Sequence, residues 1–271
     1  MQDLRVGLIQ MNLEWENPEI NLRRIEERMI EEVEFDLIVL PEMFSTGFSM
    51  RCRELANAEH EENCLRAMLR WSRMRDAAIT GSIMSKDGNT YRNRLFWVEP
   101  NGRICHYDKR HLFSIGKESE FYTKGKERLI IEFRGWKIMP LICYDLRFPV
   151  WCRNGLSDGK PLFDLQLFLA NWPALRSGVW KKLLPARAIE NQCYVAGLNR
   201  VGNDVHGYAH SGDSAVYNFI GETIAEAPEF SENFIRSTLS LDALNKYRQQ
   251  FPVLEDMDGF NILPEAPISR Q

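Results

Sequence analysis

Lys137 to Trp151 reads KIMPLICYDLRFPVW. An apolar run, Ile138 to Ile142, ends on the thiol of Cys143. An acid and a base, Asp145 and Arg147, follow at once, and Phe148-Pro149 breaks the pattern. A short continuous apolar run closed by a breaker is the mark of a buried strand. A strand that finishes on a thiol and steps straight into charged residues carries them to the rim of its sheet. In layered α/β folds the loops just beyond strand ends are where functional side chains converge, because the strands hold them rigidly.

Working outward, Leu129 to Phe133 pairs with Lys137 to Ile142 through a turn at Arg134-Gly135. Asp164 to Ala170 is another buried strand, Val179 to Gln192 reads as helix, and Tyr194 to Asn199 as strand. Ser214 to Ala227 is a hairpin through Phe219-Ile220-Gly221, and a last helix covers Leu241 to Phe251. Toward the N-terminus, Leu4 to Met11 is a strand. Asn17-Pro18 then supplies the cap and first residue of a helix to about Glu34, with Leu22, Ile25, Met29 and Val33 on one face. DLIVLPE, Asp36 to Glu42, is a buried strand stopped by Pro41. A helix follows from Glu61 to Asp76 and a strand from Ala78 to Ser85. Asp87-Gly88 and Asn101-Gly102 mark hairpin turns flanking Tyr91 to Glu99 and leading into Ile104 to Asp108. The mixture predicts a layered α/β fold of sheet packed on sheet, covered by helices.

The bulk numbers narrow the function classes. The chain has 271 residues, 44% hydrophobic and 27% charged, enough to bury a full core. Its net charge of −4, from 34 basic and 38 acidic residues, offers nothing to a polyanion, so no nucleic-acid partner is expected. No apolar segment reaches the roughly 18 residues that span a bilayer, and Met1 to Arg5 lacks a secretory layout. The cysteines 52, 64, 105, 143, 152 and 193 are scattered without a CxxC pair and read as reduced packing thiols for the most part. These features predict a cytoplasmic protein. The histidines at 60, 106, 111, 206 and 210 include no HxH pair, so no metal site is expected.

Three predicted strand ends carry reactive groups: Glu42, Lys109 and Cys143. A carboxylate, an ammonium and a thiol suit covalent acyl transfer. The thiol needs a base, an adjacent Lys⁺ favours the thiolate and an oxyanion, and the carboxylate can serve as general base and then activate water. Each also has an ordinary reading. A strand-end Cys packs, a Glu after Leu-Pro is a solvated or helix-terminal charge, and Lys109 belongs to a basic cluster, YDKRHLF. Spacing in one sequence does not show that the three meet.

The segments LPEMFSTGF (Leu40–Phe48), YDKRHLF (Tyr107–Phe113) and CYDLRFPVW (Cys143–Trp151) resemble, in order and spacing, the Glu-Lys-Cys motifs of the nitrilase superfamily of carbon–nitrogen hydrolases. The likeness continues through ANWP (Ala170–Pro173), PARAIENQCYVAGLNRVG (Pro185–Gly202) and HSGDSAVYNFIGE (His210–Glu222), and its wording is nearest to the bacterial omega-amidase branch. The resemblance implies one domain over residues 1–271, a four-layer α-β-β-α sandwich, and pairing of copies into a homodimer or larger homo-oligomer. It implies hydrolysis of the terminal amide of 2-oxo acids such as 2-oxoglutaramate and 2-oxosuccinamate through a thioester on Cys143, without a cofactor. Glu42 is then the base, and Lys109 with the Tyr144 backbone N–H the oxyanion site. GKESEFY (Gly116–Tyr122) matches the segment that supplies a second glutamate, here Glu118.

Substrate recognition is read more coarsely. Arg147, four residues past the thiol, matches a guanidinium suited to a substrate carboxylate; the alternative is an ion pair with Asp145 or Glu190. Trp172 and the rings of Phe44, Phe48 and Phe113 are pocket walls or core. Arg187, Glu190 and Asn191 form a polar brace under the site, or dimer contacts. Readings kept alongside are an N-carbamoyl amino acid or aliphatic amidase, a catalytically silent relative, and a redox-sensing Cys143.

Overall fold

The computed structural model of the protein describes residues 3–30 and 34–262. Two six-stranded sheets make up its centre. The first runs in the order Asn233–Leu239, Leu4–Gln10, Leu37–Val39, Ala78–Asp87, Thr90–Val98, Ile104–Asp108. The second runs Thr223–Glu226, Ala215–Tyr217, Tyr194–Asn199, Leu165–Ala170, Trp136–Ile142, Ile131–Phe133.

Alternation along the strands sets the layers. In the first sheet Leu4, Val6, Leu8, Leu37, Val39, Leu95 and Trp97 point into the same apolar core as Ile138, Ile142 and Leu167 of the second. Their neighbours Ile9, Ile38, Phe96 and Val98 point the other way and pack on Ile25 and Met29 of helix Pro18–Met29 and on Met68 and Trp71 of helix Ala58–Arg75. A period-two pattern with both phases apolar is what a sheet covered on both faces requires. Trp180, Leu184 and Ala188 of helix Ser177–Asn191 close the far side of the second sheet. The result is helix, sheet, sheet, helix.

Several boundaries differ from the sequence reading. The first helix stops at Met29, with Ile30 as its C-cap; Val33, assigned to its apolar face, lies outside the described residues. The Asp36–Glu42 strand shortens to Leu37–Val39, because Pro41 has no N–H for a ladder and Leu40 N already turns to Thr80 O at 2.7 Å. The second long helix begins at Ala58, where Asn57 Oδ1 caps His60 N at 2.8 Å. The edge strand Asn233–Leu239 escapes the sequence reading: only Ile235 and Leu239 are buried, so its apolar signal is thin, yet it pairs with Leu4–Gln10 along its whole length. Among the described residues no helix is long and apolar enough to cross a membrane.

The central strands of each sheet run parallel, Leu4–Gln10 with Leu37–Val39 and Ala78–Asp87, and Trp136–Ile142 with Leu165–Ala170 and Tyr194–Asn199. Ile104–Asp108, two antiparallel steps from Ala78–Asp87, therefore points the same way. Glu42 and Lys109 thus leave one end of the first sheet, and Cys143 and Asn171 leave the matching ends of two neighbouring strands in the second. Asn171 joins the two ends: its backbone N–H donates to Glu42 Oε2 at 2.8 Å.

Candidate active site

Lys109 lies at the centre of a buried polar cluster. Its Nζ donates to Glu42 Oε1 at 2.7 Å and to Glu118 Oε1 and Oε2 at 3.1 and 2.9 Å, with all three side chains sealed from solvent. Asn93 Nδ2 bridges the two carboxylates, donating to Glu42 Oε1 at 2.8 Å and Glu118 Oε1 at 3.0 Å. Phe113 N–H completes Glu118 with a 2.6 Å bond to Oε2. Asn171 holds Glu42 at both ends, through the backbone bond to its carboxylate and through Nδ2 to the Glu42 carbonyl at 2.6 Å.

Burial would drive the Lys109 ammonium to lose its proton; Glu118 and Glu42 outweigh that and hold its pKa above the ordinary lysine value. Glu118 is pushed up, first by burial and then by the charge of Glu42, against the pull of Lys109. The Cys143 thiol is nine-tenths buried, and its pKa stands well above the usual thiol range. Burial is the first cause; Glu42 and Glu118 add to it, and Lys109 opposes it. All three groups therefore act on the sulfur, which is held as a thiol with Glu42 at hand to receive its proton.

Strained backbone sets the positions. Cys143 has φ +44°, Met43 beside Glu42 has φ +47°, and Lys117 before Glu118 has φ +59°. Non-glycine residues in the left-handed region cost on the order of 1 kcal/mol each and persist where surrounding contacts fix them. For the cysteine those contacts centre on Asp145. It accepts from Ile142 N at 3.1 Å, Tyr107 OH at 2.8 Å and His111 N at 2.9 Å, and the His111 ring nitrogen Nδ1 lies 2.8 Å away. Arg187 Nη2 donates to the Leu146 carbonyl at 2.6 Å and Nη1 to Glu190 at 2.9 Å, a brace beneath the turn. Gly81 lets the Glu42 turn sit close: a Cβ there would meet Leu40 Cβ at 2.8 Å and the Phe44 ring at 2.7 Å.

Of the residues singled out for binding, Tyr144 is half-buried, its ring edge-on to Phe113 and Phe148. Trp172 is buried, with the Arg147 guanidinium over its indole at 5.0 Å. Arg147 makes neither of the ion pairs considered for it, since Asp145 is taken by Tyr107 and His111 and Glu190 by Arg187. Phe44 is corrected: it is fully buried in the apolar layer between the first sheet and its helices, under the Glu42 turn, and is core. Asn93 and Asn171 escaped the sequence reading. Asn93 was legible as a lone amide in phase with Leu95 and Trp97 on the inward face of its strand, and Asn171 as the polar residue of ANWP just past a buried strand.

The carbon-nitrogen hydrolase family model matches residues 5–249. The chain belongs to the carbon-nitrogen hydrolase family. It is 44% identical over 263 residues to omega-amidase YafV of Yersinia enterocolitica, covering 97% of this chain and 100% of that one. It is 29% identical over 260 residues to the 2-oxoglutaramate amidase of Bacillus subtilis strain 168, covering 93% and 96%. Among solved structures, XC1258 of Xanthomonas campestris, a CN-hydrolase superfamily protein with an arsenic adduct in its active site, superposes with a TM-score of 0.93 at 42% identity, covering 97% of this chain and all of that one. The family and its omega-amidase branch agree with the motifs of Leu40–Phe48, Tyr107–Phe113 and Cys143–Trp151, and the four layers agree with the fold the motifs imply.

Proposed function

We propose that the protein is a cysteine-dependent omega-amidase that hydrolyses the terminal amide of small 2-oxo dicarboxylic acid monoamides, 2-oxoglutaramate and 2-oxosuccinamate, to the acid and ammonia. The observation that carries the reading is the sealed Glu42–Lys109–Glu118 cluster acting on Cys143 at the joined ends of two sheets. The 44% identity to an omega-amidase over nearly the whole chain supports the substrate class.

Substrate entry expels water and strengthens each charge in the pocket. Glu42 takes the Cys143 proton as the sulfur attacks the amide carbonyl. The carbonyl electron pair moves to oxygen, where the Lys109 ammonium and the Tyr144 backbone N–H stabilise it. As the intermediate collapses, the proton on Glu42 passes to the amide nitrogen, the C–N bond breaks, and ammonia leaves a thioester. Glu42 then deprotonates water, which attacks the thioester; the acid departs and the proton returns to Cys143. Amide and water are consumed, acid and ammonia formed. Glu118 and Asn93 hold Lys109 and Glu42 in register throughout.

The test is a substrate comparison with the wild-type protein: ammonia release from 2-oxosuccinamate and 2-oxoglutaramate against an N-carbamoyl amino acid, an aliphatic amide and an aliphatic nitrile. Faster release from the 2-oxo acid amides is the expected result. Release confined to another of these substrates would move the protein to that branch.

A further inference from the structure

Two guanidiniums lie on aromatic rings beside the site, and only Arg147 was legible as a candidate. Arg176 caps helix Ser177–Asn191, and its guanidinium rests over the Phe113 ring at 5.4 Å. Phe113 is the residue whose backbone N–H holds Glu118, and its ring meets Tyr144, next to the thiol, at 5.2 Å between centroids. Trp172 connects the two arginines. Its face carries Arg147 at 5.0 Å, and its Nε1–H donates to the Arg176 carbonyl at 2.9 Å. Trp172 follows Asn171, which holds Glu42. Both cations are therefore mounted on aromatic platforms one residue from the catalytic cluster.

Neither side chain has a carboxylate partner among the described residues, whereas Arg5, Arg24, Arg94, Arg187 and Arg248 all do. Aromatic faces orient a guanidinium and leave its N–H edge available for bidentate bonds to a carboxylate. The interior of the site holds two carboxylates against one ammonium, which by itself repels an anionic substrate. Two unpaired cations on the Trp172 and Phe113 rings oppose that field where a carboxylate would sit.

We infer that Arg176, together with Arg147, binds the carboxylate of the substrate and restricts the enzyme to anionic amides. The inference rests on the amidase reading of the same site and names its specificity residue. A bidentate charged contact placed away from the reacting carbonyl contributes alike to ground and transition states, so its loss raises KM more than it lowers kcat.

The test uses two alkylating probes of nearly the same shape, anionic iodoacetate and neutral iodoacetamide, with modification followed on the Cys143 peptide by mass spectrometry. In Arg176→Leu the iodoacetate-to-iodoacetamide rate ratio falls roughly tenfold or more from wild type, and Arg176→Lys recovers part of it. KM for 2-oxosuccinamate rises by a similar factor. An unchanged ratio in a variant whose unfolding midpoint matches wild type would overturn the assignment, even if the wild type proves to be an omega-amidase. If the wild type hydrolyses no 2-oxo acid amide, the amidase reading fails, and a fall in the ratio still establishes Arg176 as an anion ligand.

Discussion

The Tyr107 hydroxyl donates a 2.8 Å hydrogen bond to Asp145 Oδ2, and that bond ties the turn bearing Cys143 to the segment bearing Lys109. Both groups are fully buried or nearly so, and Asp145 gathers two backbone donors besides. In Asp145→Asn one acceptor oxygen becomes an NH₂ facing other donors. The expected loss is about 1–3 kcal/mol of stability, with a fall in kcat as the two loops lose their common register. Urea denaturation and steady-state kinetics on the same preparation check this; an Asn variant with wild-type stability and kcat would remove Asp145 from the positioning network.

Glu118→Gln keeps the shape of the second carboxylate and removes its charge. Lys109 then faces an amide where it had two oxygens, and a displacement of about an ångström at a reacting centre costs on the order of 100-fold in rate. The sign of the effect on the nucleophile is opposite to intuition. Glu118 pushes the Cys143 thiol pKa up, so its neutralisation lets the thiolate form at lower pH while turnover falls. Ultraviolet thiolate absorbance as a function of pH, compared with a Cys143→Ala background, measures the shift; movement to higher pH would be the wrong sign.

Gly125 packs against the backbone beside the lysine. A Cβ there would lie 2.1 Å from the Asp108 carbonyl oxygen, while Gly125 N–H donates to Lys109 O at 2.9 Å. Gly125→Ala must therefore move the Asp108–Lys109 main chain. Overpacking of this kind costs about 1–3 kcal/mol, and the activity loss is expected to exceed that of a surface Gly→Ala such as Gly259→Ala, where a Cβ meets nothing. Thermal unfolding and ammonia release on both variants make the comparison.

His210 gives an acid-side prediction. Burial, and then the charge of Arg200, lower its pKa from 6.5 to about 4. A histidine whose folded pKa is depressed is protonated first in the unfolded chain. Its contribution is intact above pH 6.5 and is lost as the pH falls from 6.5 toward 4. In that window it removes up to about 1.4 kcal/mol per pH unit. A His210→Gln variant is expected to lose stability less steeply there, measured as denaturation midpoints at pH 7, about 5.5 and about 4.5; equal slopes would show that other groups carry the acid sensitivity.

The strands that carry the site were legible because their apolar runs are continuous: Ile138–Ile142, Leu167–Ala170 and Leu37–Val39 need no partner to be recognised. The motif resemblance then supplied Glu42, Lys109, Glu118 and Cys143 as a set, and the geometry around Lys109 joins the two glutamates to it. What stayed hidden depended on long-range contact. Asn93 is an ordinary strand amide until two carboxylates fold against it, 51 and 25 positions away in the chain. Phe44 and Trp172 are both bulky aromatics beside motifs; only packing separates the core ring from the one beneath a guanidinium. Arg176 carries no motif at all, and its signal is a missing acid partner, which no local pattern records.

The most direct test is ammonia release from 2-oxosuccinamate by the wild type and by Cys143→Ala, with the unfolding midpoint measured for both. The expected result is release by the wild type and a drop of roughly 10⁴-fold or more in a variant that remains folded. Release by the folded alanine variant at the wild-type rate would contradict a Cys143 nucleophile.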